Sequence, residues 1–239
     1  MQYHHYVQGL IYNTLRGSVY DNHDELGYKF FSFSNIFPFD DLQKNDLRNL
    51  IISSPNNEFI SYLQEQLEYD SNNIRIGRMK FKIDHSDKLN VTLPNDGMFS
   101  LITGTPIIIR IKKENYERMT EHQLTNDYEY VYWRSDHPVD LFLTQLEDNL
   151  IKKYNRYYGL EGTVIEQRNP IFQKSLFKKQ ISTRLSLAGR DSQQTIVIGT
   201  TWEFLFNSAT PLVQFGLDTG LGELGSMGFG FMNLKRGER

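Results

Sequence analysis

The 239-residue sequence contains no cysteine. That excludes disulfides, thiolate metal centres and cysteine nucleophiles together, and leaves oxygen and nitrogen side chains to do any chemistry. No run of about 18 apolar residues occurs, the length a membrane-crossing helix needs. The opening MQYHHYVQGLIYNTL lacks a basic leader followed by an apolar run and a small-residue cleavage site. These absences predict a cytoplasmic protein with no membrane partner. A large excess of either charge is also missing: the net value of −3 argues against a protein that coats long nucleic acids through nonspecific contacts. Histidines are few and scattered. His85, His122 and His137 have no metal-ligand spacing, and the adjacent His4 and His5 suit neither a helical nor a strand ligand pair, so they are expected at the surface or facing a ligand. No metal and no cofactor are expected.

What is present is an ordinary globular composition, 39% hydrophobic and 23% charged, long enough for one large domain or two small ones. Val7, Leu10, Ile11, Thr14 and Leu15 form one apolar stripe at the helical period, ending before Gly17. Aromatic-rich KFFSFS (29–34) and LRNLIISS (47–54) read as two strands of a hairpin. In PNNEFISYLQEQLEY, Asn56 or Asn57 caps a helix that buries Phe59, Ile60, Leu63 and Leu67. MKFKIDHS (79–86) then alternates as a strand. The order α, β, β, α, β is the βαββαβ order of a ferredoxin-like fold without its opening strand.

The turn cluster Pro94, Asn95, Asp96, Gly97 marks a boundary, predicting domains at 1–93 and 98–239. Beyond it come strand patterns in MFSLITGTPIIIRIKK and YEYVYWRS. A helix follows with Val139, Phe142, Leu143, Leu146, Leu150 and Tyr154 on one face, entered through Asp136, His137 and Pro138. KKQISTRLSLAG and QQTIVIGTTWEFLFN read as strands, Thr210 to Leu217 as a short helix, and GFGFMNLK as a last strand. This is β, α, β, β, α, β with an inserted hairpin. The fold class is therefore α+β, two tandem ferredoxin-like domains, the second complete.

Two local features bear on function. From Gln167 to Arg190 there are six cations (Arg168, Lys174, Lys178, Lys179, Arg184 and Arg190) and no acid, a basic strip suited to an anionic polymer. A solvated strand face is the plainer reading of it. Near the carboxy terminus, GLGELGSMGFG sets Gly220, Gly222, Gly228 and Gly230 in a G-x-G-x5-G-x-G pattern, with Gly225 between. At average glycine usage, four fixed glycines arise by chance about once in 40,000 starts, so the pattern is not incidental. Its plain reading is a hairpin loop using positive φ; its functional reading is main-chain N–H groups open to a phosphate. No lysine followed by Ser or Thr makes a P-loop, and the loop enters a strand rather than opening a helix, so a dinucleotide fingerprint is excluded.

Three segments, YVQGLIYNTL, HDELGYKFFSFS and GLGELGSMGFGF, resemble the first helix, the catalytic loop with its strand, and the signature loop of one family. That family is the CRISPR repeat-RNA endoribonucleases of the repeat-associated mysterious protein superfamily. The resemblance implies tandem ferredoxin-like domains and metal-independent cutting of precursor CRISPR RNA, leaving a 5′-hydroxyl and a 2′,3′-cyclic phosphate. By position in the matching segments it implies a catalytic triad of Tyr12, His23 and Lys29. It implies that the basic strip and the glycine loop bind CRISPR repeat RNA, with Phe172 and Phe177 available for base stacking. A noncatalytic RNA-binding subunit is the alternative, and a CRISPR effector complex and a homodimer are the further partners considered. One departure stands out: the family opens with a strand before the helix, and here Met1 precedes it by only a few residues. Either the start is truncated or the first sheet is one strand short.

Overall fold

The computed structural model describes residues 3–21, 27–120, 123–124, 128–160, 170–186 and 194–235. Helix α1 (His4–Leu15) forms because His4, Val7, Ile11 and Leu15 recur on one face, and all four are buried. β1 (Ser32–Phe33) pairs antiparallel with β2 (Ile52–Ser53), the expected hairpin in a shorter form. α2 (Asn57–Tyr69) starts where Asn56 accepts hydrogen bonds from the N–H groups of Glu58 and Phe59, each at 3.0 Å. The strand expected over 79–86 is shorter, and it closes a small hairpin of β3 (Ile74–Ile76), which was not expected, and β4 (Met79–Phe81). Ile74 and Ile76 alternate with exposed Arg75, a signal too short to stand out in sequence. Val7, Ile11, Leu15, Phe33, Phe59 and Leu63 form the core of this half. Among the described residues no strand precedes α1.

The carboxy-terminal half has a four-stranded antiparallel sheet of β5 (Phe99–Thr103), β8 (Lys174–Ser186), β9 (Gln194–Phe206) and β10 (Met232–Lys235), in the order β10-β5-β9-β8. Its crossovers run through α4 (Val139–Tyr158) and α5 (Pro211–Thr219), each skipping one strand. That is the ferredoxin-like βαββαβ arrangement. Phe142, Leu146 and Leu150 of α4, Phe215 of α5, and Trp202 and Phe204 of β9 share one core, with Phe142 and Trp202 stacked at 4.6 Å. Val139, expected on the buried face, is the first residue of the helix and is 42% exposed, whereas Leu141 and Phe142 in the same turn are buried. The insertion between β5 and α4 holds β6 (Arg110–Lys112), α3 (Lys113–Thr120) and β7 (Tyr130–Tyr132), with β6 and β7 paired antiparallel. No helix among the described residues is long and apolar enough to cross a membrane.

Candidate RNA-processing site

The glycine-rich loop is where the two halves meet. It leaves α5 at Gly220, passes through a short 3-10 turn (Gly225–Met227) and returns to β10. A Cβ on Gly228 would stand 2.7 Å from His4 Nδ1 and collide with the Phe33 ring, and one on Gly230 would overlap the Leu221 carbonyl. A Cβ on Gly220 would meet the Gly230 carbonyl and Ser32, one on Gly222 the Ile108 carbonyl, and one on Gly225 the Phe31 carbonyl at 3.1 Å. These glycines let α1 and β1 of the first half seat directly on the loop. The loop is thereby held by packing rather than free.

β1 makes this possible by facing both halves. Phe31 and Phe33 are buried in the amino-terminal core, while Phe30 packs 5.0 Å from Tyr157 and Ser32 abuts the loop. His4 corrects the surface expectation: it is 1% exposed, shares the inward stripe of α1, and its Nε2 meets Asn35 Oδ1 at 2.7 Å. Asn35 in turn donates to the Gly104 carbonyl at 3.3 Å, tying β1 to the carboxy-terminal sheet. Burial lowers the His4 pKa, so the imidazole is held neutral.

Tyr12 lies on the shoulder of the same helix, 8% exposed, with its ring edge-on to Phe31 at 5.8 Å. Its hydroxyl shares a hydrogen bond with Ser226 in the loop. Burial raises its pKa and the Ser226 contact opposes that rise, so the group remains a phenol at neutral pH. Lys29 is half-buried, two residues before the Phe31 ring against which Tyr12 rests. His23, Arg168, Arg190 and His122 lie outside the described residues. Among the described residues no group of three or more His, Cys, Asp or Glu could hold a metal.

The described cations of the basic strip lie on β8 and divide between its faces. Lys174 pairs with Leu205 and Lys179 with Thr201, whereas Arg184 pairs with Ile196, on the opposite parity of β9. The shift comes from a bulge between Phe177 and Lys179, which leaves Lys178 as the extra residue. Lys178 and Lys235 both hold Glu203, at 2.9 and 2.8 Å, and their hydrogen bonds keep its carboxyl at about 2. The expected stacking surface is corrected as well. Phe172 is 3% exposed and packs 4.9 Å from Phe204, so its ring fills the core, whereas Phe177 is half-buried and rests edge-on against Trp202 at 5.3 Å.

Sequence reasoning missed Lys153. It is 4% exposed, and its Nζ donates to the Gly220 carbonyl at 2.6 Å, where the loop leaves α5. Burial lowers its pKa to about 7, and among the described residues no carboxylate pairs with it. Its spacing of three from Leu150 and seven from Leu146 places it on the core face, a signal that its charge obscures.

The family model of "CRISPR associated protein Cas6, C-terminal" matches residues 89–234. A CRISPR-associated endoribonuclease Cas6 of Methanocaldococcus jannaschii is 30% identical over 96% of this chain and 90% of its own length. One of Haloferax mediterranei is 24% identical over 97% and 87%. Among solved structures, a protein described as a RAMP protein binding different RNA substrates superposes with a TM-score of 0.71 at 19% identity, covering 98% of this chain and 92% of that one. A CRISPR-associated Cas6 structure gives 0.66 at 22% identity, covering 99% and 92%. The fold is thus that of tandem ferredoxin-like proteins.

Proposed function

The chain belongs to the Cas6 family of CRISPR-associated endoribonucleases, and from that premise we propose that it cuts precursor CRISPR RNA by attack of the RNA's own 2′-hydroxyl. The observation that carries this reading is the seat of Tyr12, from the first helix, against Ser226 of the glycine loop near the other end of the chain. Residues 1–93 then carry the chemistry and residues 98–239 the RNA platform.

The 2′-oxygen attacks phosphorus and loses its proton to a base. The P–O5′ bond breaks and the 5′-oxygen takes a proton, leaving a 5′-hydroxyl and a 2′,3′-cyclic phosphate. His23 is assigned as the base, since imidazole exists in both forms near neutrality. Tyr12, kept as a phenol by its burial, orients the sugar or gives its proton to the leaving alkoxide, a stronger base than a phenolate. Lys29 offsets the charge that grows on the phosphorane-like transition state. None of these steps requires a metal.

The RNA runs along Lys174, Lys178 and Lys179 on one face of β8, with Arg168, Arg184 and Arg190 contributing to the approach. Gly220, Gly222, Gly225, Gly228 and Gly230 contribute shape, because they let the Ser226 turn sit beside Tyr12 where its backbone faces the scissile phosphate. A chain without cysteine and acting on fresh transcripts fits the cytoplasm. The exposed edge of β8, with Leu176 55% exposed, suits a second copy of the chain or an effector complex as a further partner.

Incubating the protein with its genomic repeat in excess EDTA tests the reading. Cleavage to a cyclic phosphate is expected. A 2′-deoxy sugar at the scissile position should abolish it while leaving binding intact. Cutting that requires a metal, or that survives the 2′-deoxy sugar, would overturn the mechanism.

A further inference from the structure

The small sheet β6–β7 sorts its side chains by face. Arg110 stands opposite Tyr132 and Lys112 opposite Tyr130, so these four share one side, while Ile111 and Val131 take the other. Ile111 is fully buried in the carboxy-terminal core, which turns the first side outward. On it Arg110, Lys112 and Tyr130 are exposed and Tyr132 is half-buried. The face therefore interleaves two cations with two aromatic rings, and the Arg110 guanidinium lies 5.4 Å over the Tyr130 ring.

This face is continuous with the glycine loop. Glu223 of the loop forms an antiparallel bridge with Ile108, its N–H donating to the Ile108 carbonyl at 2.9 Å. Its carboxylate accepts from the Arg110 backbone N–H at 2.9 Å and from the guanidinium Nε at 2.5 Å. Tyr132 packs against the same small cluster, Ile108, Leu185, Val197 and Phe229, as Leu224 and Met227 of the loop do. Three residues beyond Glu223 is Ser226, which touches Tyr12. Glu223 thus fixes Arg110 in place and leaves Lys112 exposed on the same face.

The pattern selects its ligand. A duplex hides its bases within the stack, whereas a single strand offers a phosphate and a free π-face at every nucleotide. An acidic peptide would use the cations and leave the rings idle. We propose that Arg110, Lys112, Tyr130 and Tyr132 form a stacking platform for a single-stranded segment of the repeat next to the scissile phosphate. This rests on the RNA-processing reading above and adds to it where the flanking nucleotides are gripped.

Fluorescence anisotropy with repeat RNA, paired with single-turnover cleavage, tests it. Tyr130→Ala should weaken binding about tenfold or more, the usual share of one stacked base, and Tyr130→Phe should bind as wild type does. Lys112→Gln should reduce the salt slope of log affinity by about 0.7, one phosphate on a single strand. A repeat made abasic next to the cut site should bind the wild-type protein about as weakly as the intact repeat binds Tyr130→Ala. If the wild-type protein binds and cuts the repeat while Tyr130→Ala and the abasic repeat behave as their parents do, this platform is overturned and the RNA-processing reading stands. If the wild-type protein fails to bind the repeat at all, both fall.

Discussion

The two halves of the chain solve the same folding problem at different depths. The carboxy-terminal half buries Trp133, Trp202, Phe142, Phe204 and Phe215 between four strands and two helices. Among the described residues the amino-terminal half has only two-stranded pairings, β1–β2 and β3–β4, and takes much of its support from outside, through β1 and His4 against the glycine loop. A fold of the first kind stands as a platform; one of the second kind depends on what it docks against. On the proposed reading, with the chemistry on the docked half and the RNA platform on the self-supporting half, catalysis is coupled to the contact between them.

The comparison can be broken most severely from the platform side. Trp202→Ala should cost about 3–5 kcal/mol and abolish binding and cutting together, read by thermal denaturation. Phe59→Ala in the amino-terminal core should cost activity first. Hydrogen exchange should show β8–β9 still protected, and equal loss of protection in both halves would refute their independence. Next in size, Tyr12→Phe should slow single-turnover cleavage by about 100-fold with little change in repeat affinity. A wild-type rate would remove the hydroxyl from the chemistry.

Lys153 sharpens the comparison through pH. An unfolded lysine keeps its proton to about 10.4, whereas burial brings Lys153 to about 7 in the fold. Between those values the unfolded chain holds more protons, so this residue makes stability rise with pH, by up to about 1.4 kcal/mol per pH unit. Lys153→Met should flatten that rise and raise stability at pH 7, while loosening the Gly220 carbonyl and slowing cutting. An unchanged pH slope of melting temperature would contradict the buried assignment. Smallest of all are the helix caps. Asn56→Ala in the first half and Thr210→Ala in the second each should cost about 1 kcal/mol in chemical denaturation. Asn56→Ala alone should also lower the cleavage rate.

How much of this was legible in the sequence depended on the length of each signal. The stripe of α1, the cap and face of α2, and the strand and helix order of the second half were readable because each spans several periods. β3 and α3 were not, since a three-residue strand and an eight-residue helix carry too few repeats to rise above composition. The basic strip was visible as charge. Its division between faces was not, because a one-residue bulge at Lys178 leaves no mark in the spacing. Lys153 and His4 escaped for a shared reason. A polar side chain on a core face is read as solvent-facing unless its partner is known, and here the partners, Gly220 and Asn35, are 67 and 31 residues away. The glycine pattern marks a place of close backbone approach, and the approach the structure shows there is that of the protein's own α1 and β1.

The most direct test of the docked active centre is photo-crosslinking from 4-thiouridine placed next to the scissile phosphate of an uncleavable 2′-deoxy repeat, with the attached peptides identified by mass spectrometry. The account predicts crosslinks both to the segment carrying Tyr12 to Lys29 and to the loop from Gly220 to Gly230. Crosslinks confined to α2 or to the outer face of α4, with neither of those segments labelled, would contradict it.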